Sequence, residues 1–166
     1  MKGLTLRHGK WSRNIFRIIF KDIDYSQWAL DVFFWESYGN TTMRVDFNEM
    51  EEIPSELAKQ ELLEKDNEIY PEFMKVLIRS CDSIKAEIKT YEEFLLSPYF
   101  LSIIIIDHRI IEICGKDEDI LVQIRDNFMN SNLENVRIHE LINIPLSAVL
   151  DPWRQRDETN IYDKTK

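Results

Sequence analysis

Nothing constrains this chain more than residues 99–138, which read Y-F-L-S-I-I-I-I-D-H-R-I-I-E-I-C-G-K-D-E-D-I-L-V-Q-I-R-D-N-F-M-N-S-N-L-E-N-V-R-I. A run rich in β-branched residues stops at Asp107, and a short polar turn leads into a second apolar run that ends at Gly115. Runs of this length and composition, bounded by turn residues, predict buried strands. Asp117 stands where a helix N-cap belongs, and Ile120, Leu121, Ile124 and Phe128 follow in helical register. After Asn130 and Asn132, Val136 and Ile138 alternate with Arg137 and His139. The stretch therefore reads as strand, tight turn, strand, helix, strand. It defines a fold class and carries no catalytic signature.

The remaining chain adds elements of the same kinds. Residues 2–7 form a short first strand with Leu4 and Leu6 on one side, broken by Gly9. Ser12 can cap a helix running to about Phe20, in which Ile15, Ile18 and Ile19 share a face and Lys10, Arg13, Arg17 and Lys21 form a basic stripe. Residues 28–35 read as a strand, and alternation over 41–47 after Gly39-Asn40 reads as a second hairpin arm. Pro54 and Ser55 open a helix whose apolar stripe is thin, so it is expected on the surface or in a mobile loop. Residues 73–80 form another strand. Thr90 and Glu93 form a capping box ahead of a short helix that Pro98 ends.

Together these predict a single α+β domain over residues 1–150. Its mixed β-sheet has six or seven strands, with three or four helices packed on it. A partly ordered tail covers 151–166. The 166 residues suffice to bury a sizeable core. No apolar run approaches the roughly 20 residues that span a bilayer. Without a signal pattern at the N-terminus, the expected location is the cytoplasm. Cys81 and Cys114 are expected to be buried, reduced thiols.

Charge is unevenly spread. The net charge is −9. Residues 1–21 carry six basic side chains and no acid, whereas residues 46–72 carry ten acids against Lys59 and Lys65, a net −8 for that segment. The segment reads either as a solvated acidic face or as a surface that meets a basic protein partner, with Glu51, Glu52 and Glu56 as candidate contacts. The basic stripe invites an anionic surface, but the overall charge argues against nucleic acid.

Catalytic and metal motifs are absent from the sequence. Asp107, His108, Glu112 and Cys114 cluster in sequence, yet a hairpin would separate the turn from Cys114 by roughly 13 Å at strand rise. His8, His108 and His139 lack metal-ligand spacing, and the four glycines form no phosphate loop. No cofactor is expected. In residues 28–35, large aromatics fall on both faces of the strand, which calls for cover on both sides or leaves an exposed aromatic patch.

Four strings, F-K-D-I-D-Y-S-Q-W (20–28), K-T-Y-E-E-F-L (89–95), I-I-I-I-D-H-R-I-I-E-I-C-G-K-D (103–117) and L-E-N-V (133–136), resemble an uncharacterised family of small Bacillus-type proteins of unknown function. The resemblance runs through most of the chain in the same order; residues 48–67 match nothing. It implies a single-domain bacterial cytosolic protein and supplies no activity, cofactor or site residue. The functional expectation is a non-enzymatic binding or regulatory protein that contacts a protein partner through its acidic segment. The alternative is an enzyme with a cleft formed by residues distant in sequence.

Overall fold

A computed structural model describes residues 1–7, 15–37, 53–64, 71–107, 109–133 and 135–150, without the side chains of 34–37, 64 and 71–72. Six strands in that set build one sheet: β1 (Gly3–Arg7), β2 (Trp28–Ser37), β3 (Pro71–Ser80), β4 (Tyr99–Ile106), β5 (Ile110–Gly115) and β6 (Arg137–Leu141). Their order is β2-β3-β4-β5-β1-β6. Four α-helices accompany them among the described residues: α1 (Ile15–Ile19), α2 (Ser55–Lys59), α3 (Tyr91–Leu96) and α4 (Glu118–Met129), with a π-helical turn, Gln60–Glu64, continuing α2. The α+β fold is the expected one. The sheet differs from the expected mixed one in that all its described pairings are antiparallel. The reason lies in β5–α4–β6. A strand–helix–strand crossover leaves its two strands pointing the same way, and β1 slots between them, antiparallel to both.

The hairpin of β4 and β5 turns through Asp107, whose φ of 49° an aspartate tolerates better than most side chains. The Arg109 amide donates to Ile106 O at 3.2 Å to close the turn. The first strand does not pair with a sequence neighbour. It reaches across the chain so that Gly3 stands opposite both Cys114 and Leu141. β2 pairs with β3, the next described strand; the proposed arm 41–47 lies outside the described residues.

Both faces of the sheet are buried. On one, Leu4, Leu6, Leu30, Val32, Met74, Val76, Ile78, Ile103, Ile105, Ile111 and Ile113 pack against Ile15, Phe16 and Ile19 of α1, Leu62 and Leu63 of the π turn, and Leu121, Ile124 and Phe128 of α4. On the other, Leu77, Tyr99, Ile104 and Ile106 meet Tyr91 and Phe94 of α3 and Ile144, Ala148 and Leu150 beyond β6. Two-sided burial explains why β4 is a continuous run of isoleucine rather than an alternating strand. Of the β2 aromatics with described side chains, Trp28 stacks edge-on with Phe20 and Phe100, and Phe33 with Tyr99.

Helix ends are closed by specific partners. The predicted capping box forms, with Thr90 Oγ1 accepting from the Glu93 amide and Glu93 Oε2 accepting from the Thr90 amide, both at 3.2 Å. The next amides of α3, on Tyr91 and Glu92, donate to Ala148 O and Leu146 O at 2.8 and 2.9 Å, so residues 146–150 are laced onto a helix start whose donors would otherwise be orphaned. Asp117 caps α4 by accepting from the Asp119 amide at 2.9 Å. Asn127 of α4 donates to Lys21 O at 2.7 Å, tying α4 to the chain leaving α1.

Two local expectations change. The segment around α2 is not a loose surface element: Ile53, Ala58, Leu62 and Leu63 are buried, because the π turn displaces Leu62 and Leu63 together onto the sheet-facing side. Cys81 is exposed and only Cys114 is buried; both are free thiols. Cys81 follows the last residue of β3, where the chain has already left the core. Leu150 is 1% exposed; the expected tail, 151–166, lies outside the described residues.

Close strand approach yields a paired prediction. A Cβ on Gly3 would collide with the backbone carbonyl of Ile113, whereas one on Gly115 would touch only side-chain atoms of Leu121, at 3.0 Å. A carbonyl in the β1–β5 ladder cannot yield without breaking pairing, but a leucine can change rotamer. Gly3→Ala should therefore cost about 3 kcal/mol and Gly115→Ala about 1 kcal/mol or less in urea unfolding. Equal losses would contradict the central placement of β1.

Candidate functional site

Three features merit consideration as sites: the acidic segment, a groove beside β6, and a buried charge cluster under the 81–89 loop. Glu56, in the first turn of α2, is exposed; Glu51 and Glu52 lie outside the described residues. The helix carrying Glu56 is held firmly. Ser55 Oγ donates to Asp31 Oδ1 at 2.7 Å, and Lys59 Nζ donates to Ser26 O at 3.3 Å while lying 5.8 Å from the centre of the Tyr25 ring. Not all of the segment's charge faces water: Glu61 is 1% exposed and has its own interaction.

A groove of about 460 Å³ opens between the C-terminal half of α4 and β6. Phe128, Leu133, Val136 and Ile138 form its apolar lining. Arg125 Nη1 donates to Glu140 Oε1 at 2.7 Å, and Arg125 Nη2 donates to Asp126 Oδ1 at 2.8 Å. These contacts satisfy the charges with one another and raise the Arg125 pKa, chiefly through Glu140. Sequence reasoning did not single out this groove. Its only legible sign was the alternation of Val136 and Ile138 with Arg137 and His139 after a helix.

The buried cluster is centred on Asp31, which is 2% exposed. Arg79 Nε donates to Asp31 Oδ2 at 2.6 Å and Arg79 Nη2 to Oδ1 at 3.3 Å. Tyr99 Oη donates to Oδ2 at 2.9 Å and itself accepts from the Ala86 amide at 3.1 Å. Arg79 Nη1 also donates to the carbonyl of Ser83. Burial pushes the Asp31 carboxyl up, but the hydrogen bonds from Arg79, Ser55 and Tyr99 outweigh it, and the net shift is downward. The same carboxylate raises Arg79. Tyr99 is pushed up to about 12, first by burial and then by its hydrogen bond to Asp31. With its oxygens engaged by three side chains, Asp31 has no free position from which to act on a substrate. The cluster is a clamp joining β2, β3, β4, α2 and the 81–86 loop.

Among the described residues the other sequence candidates do not converge. Asp107 lies at the hairpin turn and Cys114 pairs across from Ser102, far down the strand; His108 lies outside the described residues. His139 is exposed on β6 and is the only one of the three histidines among the described residues. No group of three metal-ligating side chains occurs among those residues. Of the basic stripe, Arg17 and Lys21 are described and exposed.

The architecture is that of an α+β protein whose antiparallel sheet is covered on both faces, and its candidate sites are a displayed carboxylate and a surface groove. Residues 1–143 match the family described as "Protein of unknown function (DUF2691)", and the chain belongs to that family. No curated protein and no solved structure matches the chain. No helix among the described residues is long and apolar enough to cross a membrane.

Proposed function

We propose that this is a non-enzymatic binding or regulatory protein of the bacterial cytoplasm, contacting a basic protein partner through the acidic segment 46–72, with Glu51, Glu52 and Glu56 in the contact. The observation that carries this reading is the mounting of Glu56. It is exposed on a short helix held by Ser55 to Asp31 of β2, by Lys59 to Ser26 O ahead of β2, and by four buried apolar side chains, Ile53, Ala58, Leu62 and Leu63. A carboxylate held on a rigid element meets a partner without a large ordering cost. The net −8 of the segment supplies steering that falls away with salt.

Capture of partners from bacterial cytosol by the tagged protein, at low and high salt, tests this when repeated with Glu51→Gln, Glu52→Gln and Glu56→Gln combined. One stoichiometric protein should be held at low salt, released at high salt and lost with the triple variant. The melting temperature should stay within about 2 °C, since exposed carboxylates contribute little to stability. Equal recovery by the variant, or no partner at either salt, would sink the reading.

A further inference from the structure

At the far end of the sheet from α2, β1 and β6 bring donors together on the face opposite α4. Arg7 stands directly across from Arg137, and Thr5 across from His139. Strand alternation sets these four apart from Leu4, Leu6 and Ile138, which belong to the other face. Directly opposed side chains on adjacent strands have Cβ atoms about 4.5–5.5 Å apart, and like charges there repel. The Arg7 Nε is buried and has no hydrogen-bond partner among the described residues. Thr5, 5% exposed, also holds a buried hydroxyl without a partner. Arg137 and His139 are exposed beside them. Buried polar atoms are almost always satisfied, so two orphans beside two further basic side chains ask for an acceptor that the described residues do not supply. Glu112, across Thr5 on the β5 side, is buried and has an interaction of its own.

We propose that this end of the sheet is an oxyanion site, in which Arg7, Thr5, Arg137 and His139 hold a phosphate group. A tetrahedral dianion presents acceptors to donors arriving from two strands at once, and arginine forks match its oxygens. A polyanion such as nucleic acid is disfavoured by the net charge of −9, so the ligand is small. The site is independent of the acidic surface. α2 packs on β2, at the opposite end of the strand order, so either assignment can fail without the other.

The test is calorimetric titration of the full chain with potassium phosphate, and separately with O-phosphoserine, against potassium chloride at equal ionic strength. Saturable binding to either phosphate compound and not to chloride is expected, weakened about tenfold by Arg137→Ala and several-fold by Thr5→Val. Preference for O-phosphoserine would make the ligand a phosphorylated metabolite, and preference for the free ion would make it inorganic phosphate. Thr5→Val should melt no lower than the parent, because it removes a hydroxyl that has no partner to lose. A loss of binding in that variant is therefore not a loss of fold. Absence of phosphate-specific binding, or binding that survives either substitution unchanged, would overturn the assignment.

Discussion

Replacing Asp31 by alanine is expected to cost about 3–5 kcal/mol of folding stability. For a chain of this size that lowers the melting temperature by about 10 °C or more. The cost does not come from the ion pair as an attraction, since desolvation offsets much of what two buried charges gain from each other. It comes from what the substitution leaves behind. The Arg79 side chain is 12% exposed and would keep its charge with no anion beside it. The hydroxyls of Tyr99 and Ser55 would lose their acceptor. The damage would extend beyond β2, because Arg79 and Tyr99 also hold Ser83 and Ala86 of the adjoining loop. Tyr99→Phe removes one donor and leaves the charges paired, so it should cost only about 1–1.5 kcal/mol.

The same residue predicts how stability responds to acid. Asp31 has a folded pKa below its ordinary value of 3.8. A depressed carboxylate contributes stability that is complete above the unfolded pKa and is lost as the pH falls through the folded one. The parent should therefore lose stability more steeply below about pH 4 than Asp31→Asn, which has no proton to take up there. Urea unfolding of both proteins at neutral pH and at a series of acid values would show it. If Asp31→Asn lies within about 1 kcal/mol of the parent at neutral pH and follows the same acid slope, the cluster is not the clamp described above.

Local features of the fold were readable because their causes are local. The β4–β5 hairpin follows from two apolar runs around Asp107 and Arg109, and the ends of α3 and α4 follow from Thr90, Glu93 and Asp117, whose caps span only a few residues. Long-range pairing left no such trace. Nothing near Gly3 announces that β1 will separate β5 from β6, which turned the expected mixed sheet into an antiparallel one. Asp31 sits in an aromatic run with large side chains on both faces, and its partners Arg79 and Tyr99 lie 48 and 68 residues away. The acidic segment was visible as composition. Composition cannot separate exposed Glu56 from buried Glu61, because which carboxylate turns inward is decided by the π turn after α2. The oxyanion site was hidden for the same reason as β1: Arg7 and Arg137 become neighbours only through strand pairing.

That both faces of the sheet are core can be tested on two consecutive residues. Ile103 is fully buried against the α1–α4 side and Ile104, 1% exposed, against α3 and the 144–150 segment. Ile103→Ala and Ile104→Ala should each cost about 2–5 kcal/mol, combining lost transfer free energy with an unfilled cavity. Ile84→Ala, at a position 85% exposed, should change stability by no more than about 0.5 kcal/mol. The comparison discriminates because antiparallel sheets commonly keep one face in water, and in such a sheet one of two consecutive strand residues would be cheap to truncate. If Ile104→Ala fell with Ile84→Ala, α3 and the chain beyond β6 would be a loose cover rather than a packed layer. The Tyr99 hydroxyl and the Asp31 clamp, which lie under that cover, would then be open to water. Equal and large losses would instead show that α3 closes a second core, and that β4 needs isoleucine at consecutive positions because it has no wet side.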